Sequence, residues 1–239
     1  MFIESCVEIV RRNLQFLPPY ESRAALYVRP VLFGTKPCLT VQAYKEAGFC
    51  VFATPVGPYF KEGIHPINAI VNRNQDRSAP LGTGDVKVGG NYAASIGSGS
   101  RAHEAGFANC LYLDPQEKKY IDEFGAANFF GIKEGKYVTP DSSSVLPSIT
   151  NMSLRTLAED LGLTVENRPI PVEELATFEE TGACGTAAVI SPVGKLRYKD
   201  DVLTIQDGQT GPLSLKLYDT ITGIQWGKVE DTFGWIEKI

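Results

Sequence analysis

Lys87 lies between two glycine-rich turns in the run Gly82-Thr83-Gly84-Asp85-Val86-Lys87-Val88-Gly89-Gly90-Asn91-Tyr92. Glycine lets the backbone come close to a ligand and allows φ > 0, so a lysine held there can reach into a crowded pocket. The chemistry open to such a lysine is Schiff-base formation with an aldehyde. That requires the neutral amine, and so a site that destabilises the ammonium by burial or nearby positive charge. Taken alone, Lys87 also reads as a solvated loop residue, the commoner state of lysine. A phosphate loop does not fit, because no Ser or Thr follows Lys87 and the glycines miss the G-x-x-x-x-G-K-[ST] spacing. The dinucleotide fingerprint fails as well, since Gly82 and Gly84 lack the third glycine at the required offset.

Other residues have types suited to the same chemistry, each with an ordinary structural alternative. Glu123 is a carboxylate at a strand end, and Tyr92 is an aromatic at a helix start that core packing alone would explain. Ile149-Thr150 opens a helix, where backbone N–H groups can hold a phosphate without side-chain charge. Thr186 and Ala187 lie in a glycine-flanked segment that also reads as a tight turn between strands. Tyr27, Arg29 and Tyr59 are the remaining candidates. Arg29 offers a bidentate partner for a carboxylate, although an arginine on a strand is more often at the surface. His65 and His103 fall in no catalytic arrangement.

The elements that must position these residues follow from periodicity. Ile3, Val7, Val10 and Leu14 make Phe2 to Leu14 an amphipathic helix, ended by Pro18-Pro19. Ala25 to Phe33 and Phe49 to Pro55 read as strands. Val56 to Gly63 reads as a connector. Asn91 to Ala105 follows as a helix, despite Gly97 and Gly99. Short strands are expected at Cys110 to Leu113, Tyr120 to Glu123, Asn128 to Ile132 and Lys136 to Thr139. Leu154, Leu157, Ala158 and Leu161 predict a helix capped by Thr150 or Asn151 and ended by Gly162. Thr164 to Arg168 is a further strand, Val172 to Thr177 a short helix, Gly182 to Pro192 a strand pair and Pro212 to Ile224 a last helix.

The lysine segment resembles the cofactor-lysine motif of the branched-chain amino acid aminotransferases, pyridoxal-phosphate enzymes of fold type IV. Further blocks resemble that family in the same order: Tyr27-Val28-Arg29-Pro30-Val31-Leu32-Phe33-Gly34, Pro55-Val56-Gly57-Pro58-Tyr59-Phe60, Glu123-Phe124-Gly125-Ala126-Ala127-Asn128, Leu146-Pro147-Ser148-Ile149-Thr150 and Gly185-Thr186-Ala187-Ala188-Val189-Ile190-Ser191-Pro192-Val193. The resemblance implies an α+β protein: part of a small N-terminal domain at residues 1–56, a connector at 57–63 and a complete large domain for pyridoxal 5′-phosphate at 64–239. It implies Lys87 as the Schiff-base lysine and acid/base group. Tyr92 corresponds to the contact to the cofactor's phenolic oxygen, and Glu123 to the carboxylate at the pyridine nitrogen. Ile149, Thr150 and Thr186 correspond to phosphate contacts, and Thr186 and Ala187 to contacts with the substrate carboxylate. Tyr27, Arg29 and Tyr59 take the substrate side. Ser148 and Asn151 stand where the family block has glycine and arginine.

The activity implied is amino transfer between a branched-chain L-amino acid and 2-oxoglutarate, in a homodimer whose pockets are completed by the neighbouring subunit. The family's earlier N-terminal strands and helices would precede Met1, so impaired turnover is expected. A D-amino acid aminotransferase, an aminodeoxychorismate lyase and a noncatalytic fragment remain alternatives.

Bulk properties agree with a globular protein of one to two domains. The 239 residues are 43% hydrophobic with a formal charge of -5, which argues against nucleic acid or an anionic membrane as the main partner. Five scattered cysteines without a C-x-x-C pair indicate neither a disulfide framework nor a zinc site, and fit reduced thiols in a cytoplasm. The first residues carry Glu4, Glu8, Arg11 and Arg12, and no apolar run approaches roughly 18 residues, so neither a signal peptide nor a membrane span is expected.

Overall fold

The first helix ends at Arg12, short of the expected Leu14, and a 3-10 turn at Leu14–Phe16 separates it from Pro18-Pro19. A computed structural model describes residues 1–43 and 45–239. The chain divides into two compact units, Met1–Lys61 with Glu237–Ile239, and Glu62–Ile236. The first holds helix α1 (Phe2–Arg12) and the antiparallel strands β1 (Ala25–Gly34) and β2 (Ala47–Val56), paired from Ala25↔Val56 to Gly34↔Ala47. Glu4 in the first turn of α1 and Arg11 and Arg12 in its last complement the helix dipole.

The second unit contains β3 (Ile67–Asn72), α2 (Gly89–Glu104), β4 (Asn109–Leu113), β5 (Ile121–Phe124), β6 (Asn128–Lys133) and β7 (Lys136–Pro140). It continues with α3 (Ile149–Asp160), β8 (Thr164–Arg168), β9 (Glu180–Gly185), β10 (Val189–Tyr198), β11 (Asp201–Thr204) and α4 (Pro212–Gln225). Its sheet runs β11-β10-β3-β4-β5-β6-β7-β8, and β9 pairs with both β10 and β6. Strands β3, β4, β5, β6, β9 and β10 therefore close into a ring, which removes their free edges. One residue pair, Glu123 opposite Asn128, joins β5 to β6. The ring is thinnest at a candidate site residue.

Three apolar clusters hold this unit together. Val71, Leu111, Ile121, Phe129 and Val138 belong to the first. Leu154, Leu157 and Ala158 of α3 and Leu217, Ile221 and Ile224 of α4 share a second with Phe130, Ile132 and Tyr137. Their i, i+3, i+4 spacing is the apolar stripe that makes each helix bury one face. Ala102 of α2 joins Cys110 and Tyr112 of β4 in the third.

The mixed α/β architecture agrees with the α+β expectation, but three local readings need correction. The cap of α3 is Ser148, whose Oγ accepts from the Asn151 N–H at 3.2 Å, so Thr150 and Asn151 lie inside the helix. The helix therefore begins before both expected caps. Strands β3 and β11 carry no expectation from the sequence. Ile67-Asn68-Ala69-Ile70-Val71-Asn72 mixes polar and small residues without a clean alternation, and β11 has four residues.

Candidate active site

Lys87 ends the loop that leads from β3 into α2, and the first turn of that helix shapes the loop. Asn91 is buried and donates from Nδ2 to Thr83 O at 2.6 Å and Val86 O at 2.9 Å, while Thr83 Oγ1 donates to Asn91 Oδ1 at 2.9 Å. Gly84 is required by a close approach: a Cβ there would lie 2.3 Å from Ser144 O and 2.5 Å from Ser78 Oγ. The expected use of φ > 0 is not found, because none of Gly82, Gly84, Gly89 and Gly90 adopts it. Lys87 is exposed, so the described residues do not supply the burial expected for a reactive amine. Its Nζ is held by Tyr92 Oη at 2.7 Å, five residues on in α2.

Glu123 is 3% exposed on β5. Its Oε1 accepts from the Leu146 N–H at 3.0 Å and faces Arg77 Nη2 at 2.6 Å, and its Oε2 accepts from Asn128 Nδ2 at 2.9 Å. Burial pushes its carboxyl up to about 7 against the opposing pull of Arg77, the Leu146 N–H and Asn128. The neighbouring Asp122 is also buried, and burial raises it to about 6. Two lone pairs on each carboxylate oxygen leave Glu123 Oε2 able to accept a further donor.

Asn128 links this carboxylate to the start of α3. Its Oδ1 accepts from Asn151 Nδ2 at 3.2 Å, Asn151 also donates to Thr139 Oγ1 at 2.8 Å, and Tyr137 Oη donates to Asn151 Oδ1 at 2.9 Å. Asn151 thus serves as a buried anchor. Ile149 and Thr150 precede it in the first turn, where backbone N–H groups have no intrahelical acceptor. Ile149 is exposed and Thr150 half-buried.

Thr186 and Ala187 occupy the exposed turn between β9 and β10. Cys184, just before this turn, lies opposite Asn128 in the β6–β9 register, which puts the turn at the same end of the ring as Glu123. Val189 closes the turn at φ 62°, a conformation costly for a β-branched residue and of the kind that collects at functional sites.

Five of the candidates thus gather around two points, Lys87 with Tyr92, and Asn128 with Glu123, Ile149 and Thr150; the Thr186-Ala187 turn adjoins the second. Tyr27, Arg29 and Tyr59 belong to the first unit. Tyr27 and Arg29 share one face of β1, and Arg29 Nη2 donates to Tyr27 Oη with the guanidinium 4.9 Å from the ring centre. Tyr59 is exposed, with its ring edge-on to Phe60 at 4.9 Å.

Pyridoxal 5′-phosphate fits the residues of the second unit. An amine for its aldehyde and a phenol lie in mutual contact, a buried carboxylate has a free lone pair for the ring nitrogen, and a helix start offers N–H groups to its phosphate. Sequence reasoning missed Arg77, Asn91 and Asn128 as site-building residues. Arg77 and Asn91 are single polar residues in a polar, glycine-rich stretch, and only the fold shows them buried. The Glu123-to-Asn128 block did carry a signal for the third.

A family profile described as amino-transferase class IV matches residues 3–196. A branched-chain-amino-acid aminotransferase of Haemophilus influenzae is 46% identical over 100% of this chain and 72% of its own length. One of Helicobacter pylori is 44% identical over 100% of this chain and 71% of its own. Among solved structures, a branched-chain amino acid aminotransferase of Escherichia coli superposes with a TM-score of 0.84 at 29% identity, covering 99% of this chain and 75% of that one. Another, from T.th. and solved with pyridoxamine 5′-phosphate, gives 0.83 at 28% identity, over 98% of this chain and 73% of that one.

Proposed function

Because the chain belongs to the class IV aminotransferase family, whose cofactor is pyridoxal 5′-phosphate, we propose that it transfers the amino group between a branched-chain L-amino acid and 2-oxoglutarate. The observation that carries the reading is the Lys87 Nζ to Tyr92 Oη contact at 2.7 Å, in the unit that also buries Glu123. The relatives' names support the branched-chain substrate. Bound pyridoxal phosphate supplies the electron sink for the pair left when substrate Cα loses its proton.

The chain's own residues do the rest. Lys87 Nζ would accept the proton from substrate Cα and serve as the proton carrier beside the cofactor, held in place by Tyr92. Glu123 keeps the ring nitrogen protonated. The first turn of α3, through Ile149 and Thr150, and the turn through Thr186 hold the phosphate, with Thr186 and Ala187 also meeting the substrate carboxylate. Tyr27, Arg29 and Tyr59 line the substrate side, Arg29 facing the side-chain carboxylate of glutamate. Residues 1–56 are the part of the small domain, 57–63 the connector and 64–239 the large cofactor domain. The enzyme works as a homodimer in the cytoplasm. Five free cysteines and the absence, among the described residues, of any helix long and apolar enough to cross a membrane are consistent with that location.

Two measurements test the assignment. Incubation with pyridoxal phosphate, borohydride reduction and peptide mapping are expected to place the label on Lys87, and Lys87→Ala to abolish it. L-Leucine with 2-oxoglutarate is expected to yield glutamate only when the cofactor is present. Labelling at another lysine, undiminished in Lys87→Ala, overturns the reading. Labelling at Lys87 without amino transfer selects the noncatalytic alternative.

A further inference from the structure

Arg77 belongs to none of the roles assigned so far. It lies in the loop between β3 and Lys87 and is 7% exposed. Its Nη2 stands 2.6 Å from Glu123 Oε1, 2.7 Å from Gly84 O and 2.5 Å from Ser144 O. Three segments therefore meet on one nitrogen: the strand that carries Glu123, the loop that carries Lys87, and the loop that leads into Ile149 and Thr150. The Gly84 contact requires glycine, since a Cβ at that position would collide with Ser144 O. Arg77 Nε is buried without a hydrogen-bond partner among the described residues.

A buried ion pair is a poor device for stability, because desolvating two charges offsets most of their attraction. An orphaned Nε adds to that cost. The value of Arg77 therefore lies in its effect on its neighbours. Two buried carboxylates, Asp122 and Glu123, adjoin on β5. Arg77 faces Glu123 directly and also pulls Asp122 down, where Lys118 adds a smaller pull. Cys184 faces Glu123 from β9 and brings no positive charge. The neutral donors Asn128 and Leu146 complete the shell.

We propose that Arg77 is a positioning residue that lowers the proton affinity of buried Glu123 and aims its carboxylate, and that fixes the Lys87 loop and the α3 entry to the same point. The proposal rests on reading Glu123 as the carboxylate that pairs with the cofactor's ring nitrogen. Without the guanidinium, Glu123 is left buried among neutral groups and a second acid, and holds its proton to a higher pH than in the parent. It then no longer stabilises a protonated ring nitrogen. Burial of the carboxylate already raises its proton affinity, so the guanidinium opposes a real tendency.

The test uses Arg77→Gln, which retains an amide to donate to the carbonyls but removes the charge. In cofactor-free protein labelled with carboxyl-13C glutamate, Glu123 is assigned as the resonance lost in Glu123→Gln. Its titration midpoint is expected to rise by about 1 to 3 pH units in Arg77→Gln, the size of effect an adjacent opposite charge exerts. Arg77→Lys is expected to bring it part of the way back. Pyridoxal phosphate affinity is expected to fall about tenfold or more in Arg77→Gln, but less than about twofold when Glu123→Gln is already present, because the effect passes through Glu123.

An unmoved midpoint, or an equal loss of affinity in both backgrounds, overturns the proposal. If Arg77→Gln does not fold, Arg77→Lys carries the test. Lysine is one atom shorter than arginine and lacks its planar fork, so its ammonium stops short of the position Nη2 takes against Glu123 and the two carbonyls. The midpoint still rises and affinity still falls, and a lysine variant matching the parent in both overturns the proposal. If the parent protein binds no pyridoxal phosphate, the proposed function fails while the midpoint still reports on Arg77.

Discussion

Tyr92 and Asn128 hold the two reactive groups from different sides of the site, and each makes a separable prediction. Tyr92 contacts Lys87 Nζ at 2.7 Å and is the residue assigned to the cofactor's phenolic oxygen. Tyr92→Phe keeps the ring but removes the hydroxyl, and a hydrogen bond to a charged partner is worth roughly 1.5–3 kcal/mol. Pyridoxal phosphate affinity is expected to drop about tenfold to a hundredfold, read by absorbance titration; an unchanged affinity removes Tyr92 from the site. Asn128 touches Glu123, Leu146 and Asn151. Asn128→Ala leaves buried partners unsatisfied, which costs about 1–3 kcal/mol, so urea unfolding is expected to move to a lower midpoint. A midpoint equal to the parent's means that water replaces the amide.

At the scale of elements, α3 couples stability to the phosphate site. Ser148 caps it, Leu154 and Leu157 bury its inner face, and Asn151 ties its first turn to Asn128. Ser148→Ala is expected to cost about 1 kcal/mol, the usual value of an N-cap hydroxyl, and to weaken cofactor binding as the first turn frays. Leu157→Ala is expected to cost about 2–5 kcal/mol and to leave the affinity of the folded fraction unchanged. Denaturant curves and cofactor titration on the same samples separate the two effects, and the assignment of the phosphate to this helix start fails if Ser148→Ala loses stability alone.

These elements also show what the sequence discloses. Leu154, Leu157 and Ala158 announce α3 because burial of one face imposes a period, but no period marks the cap, and Ser148 lies outside the expected pair. The glycines around Lys87 are legible as a special backbone, yet their reason is not: Gly84 is needed for contact with Ser144, 60 positions later in the chain. Lys87 and Glu123 stand in recognisable blocks, whereas Arg77 has nothing local to distinguish it from a surface arginine. The exposure of Lys87 agrees with the solvated-loop reading that its residue type alone supports, not with the buried amine that the chemistry calls for.

At the scale of the whole molecule, assembly and charge make the remaining predictions. A homodimer is expected to sediment as a particle of twice the 26.1 kDa chain, and a monomer at micromolar concentration counts against pockets completed by a neighbouring subunit. The pH dependence of stability has two limbs of opposite sign. Glu174 is held down at about 2, chiefly by its bond from Arg168. Its contribution is present above the ordinary glutamate value and lost as pH falls toward 2. Glu123 is raised to about 7 by burial. In cofactor-free protein the folded state keeps that proton after the unfolded chain has released it, so the contribution is full below about 4.3 and is lost as pH rises through 7. Asp122, raised to about 6, acts in the same direction. Stability is therefore expected to peak near pH 4 and to fall by about 4 kcal/mol between pH 5 and pH 8, since each pH unit below a folded-state midpoint is worth about 1.4 kcal/mol, two for Glu123 and one for Asp122. Urea unfolding at the two pH values measures the fall, and Glu123→Gln is expected to remove most of it. A parent protein as stable at pH 8 as at pH 5 means that Glu123 keeps an ordinary affinity for its proton, with Arg77 cancelling the whole effect of burial.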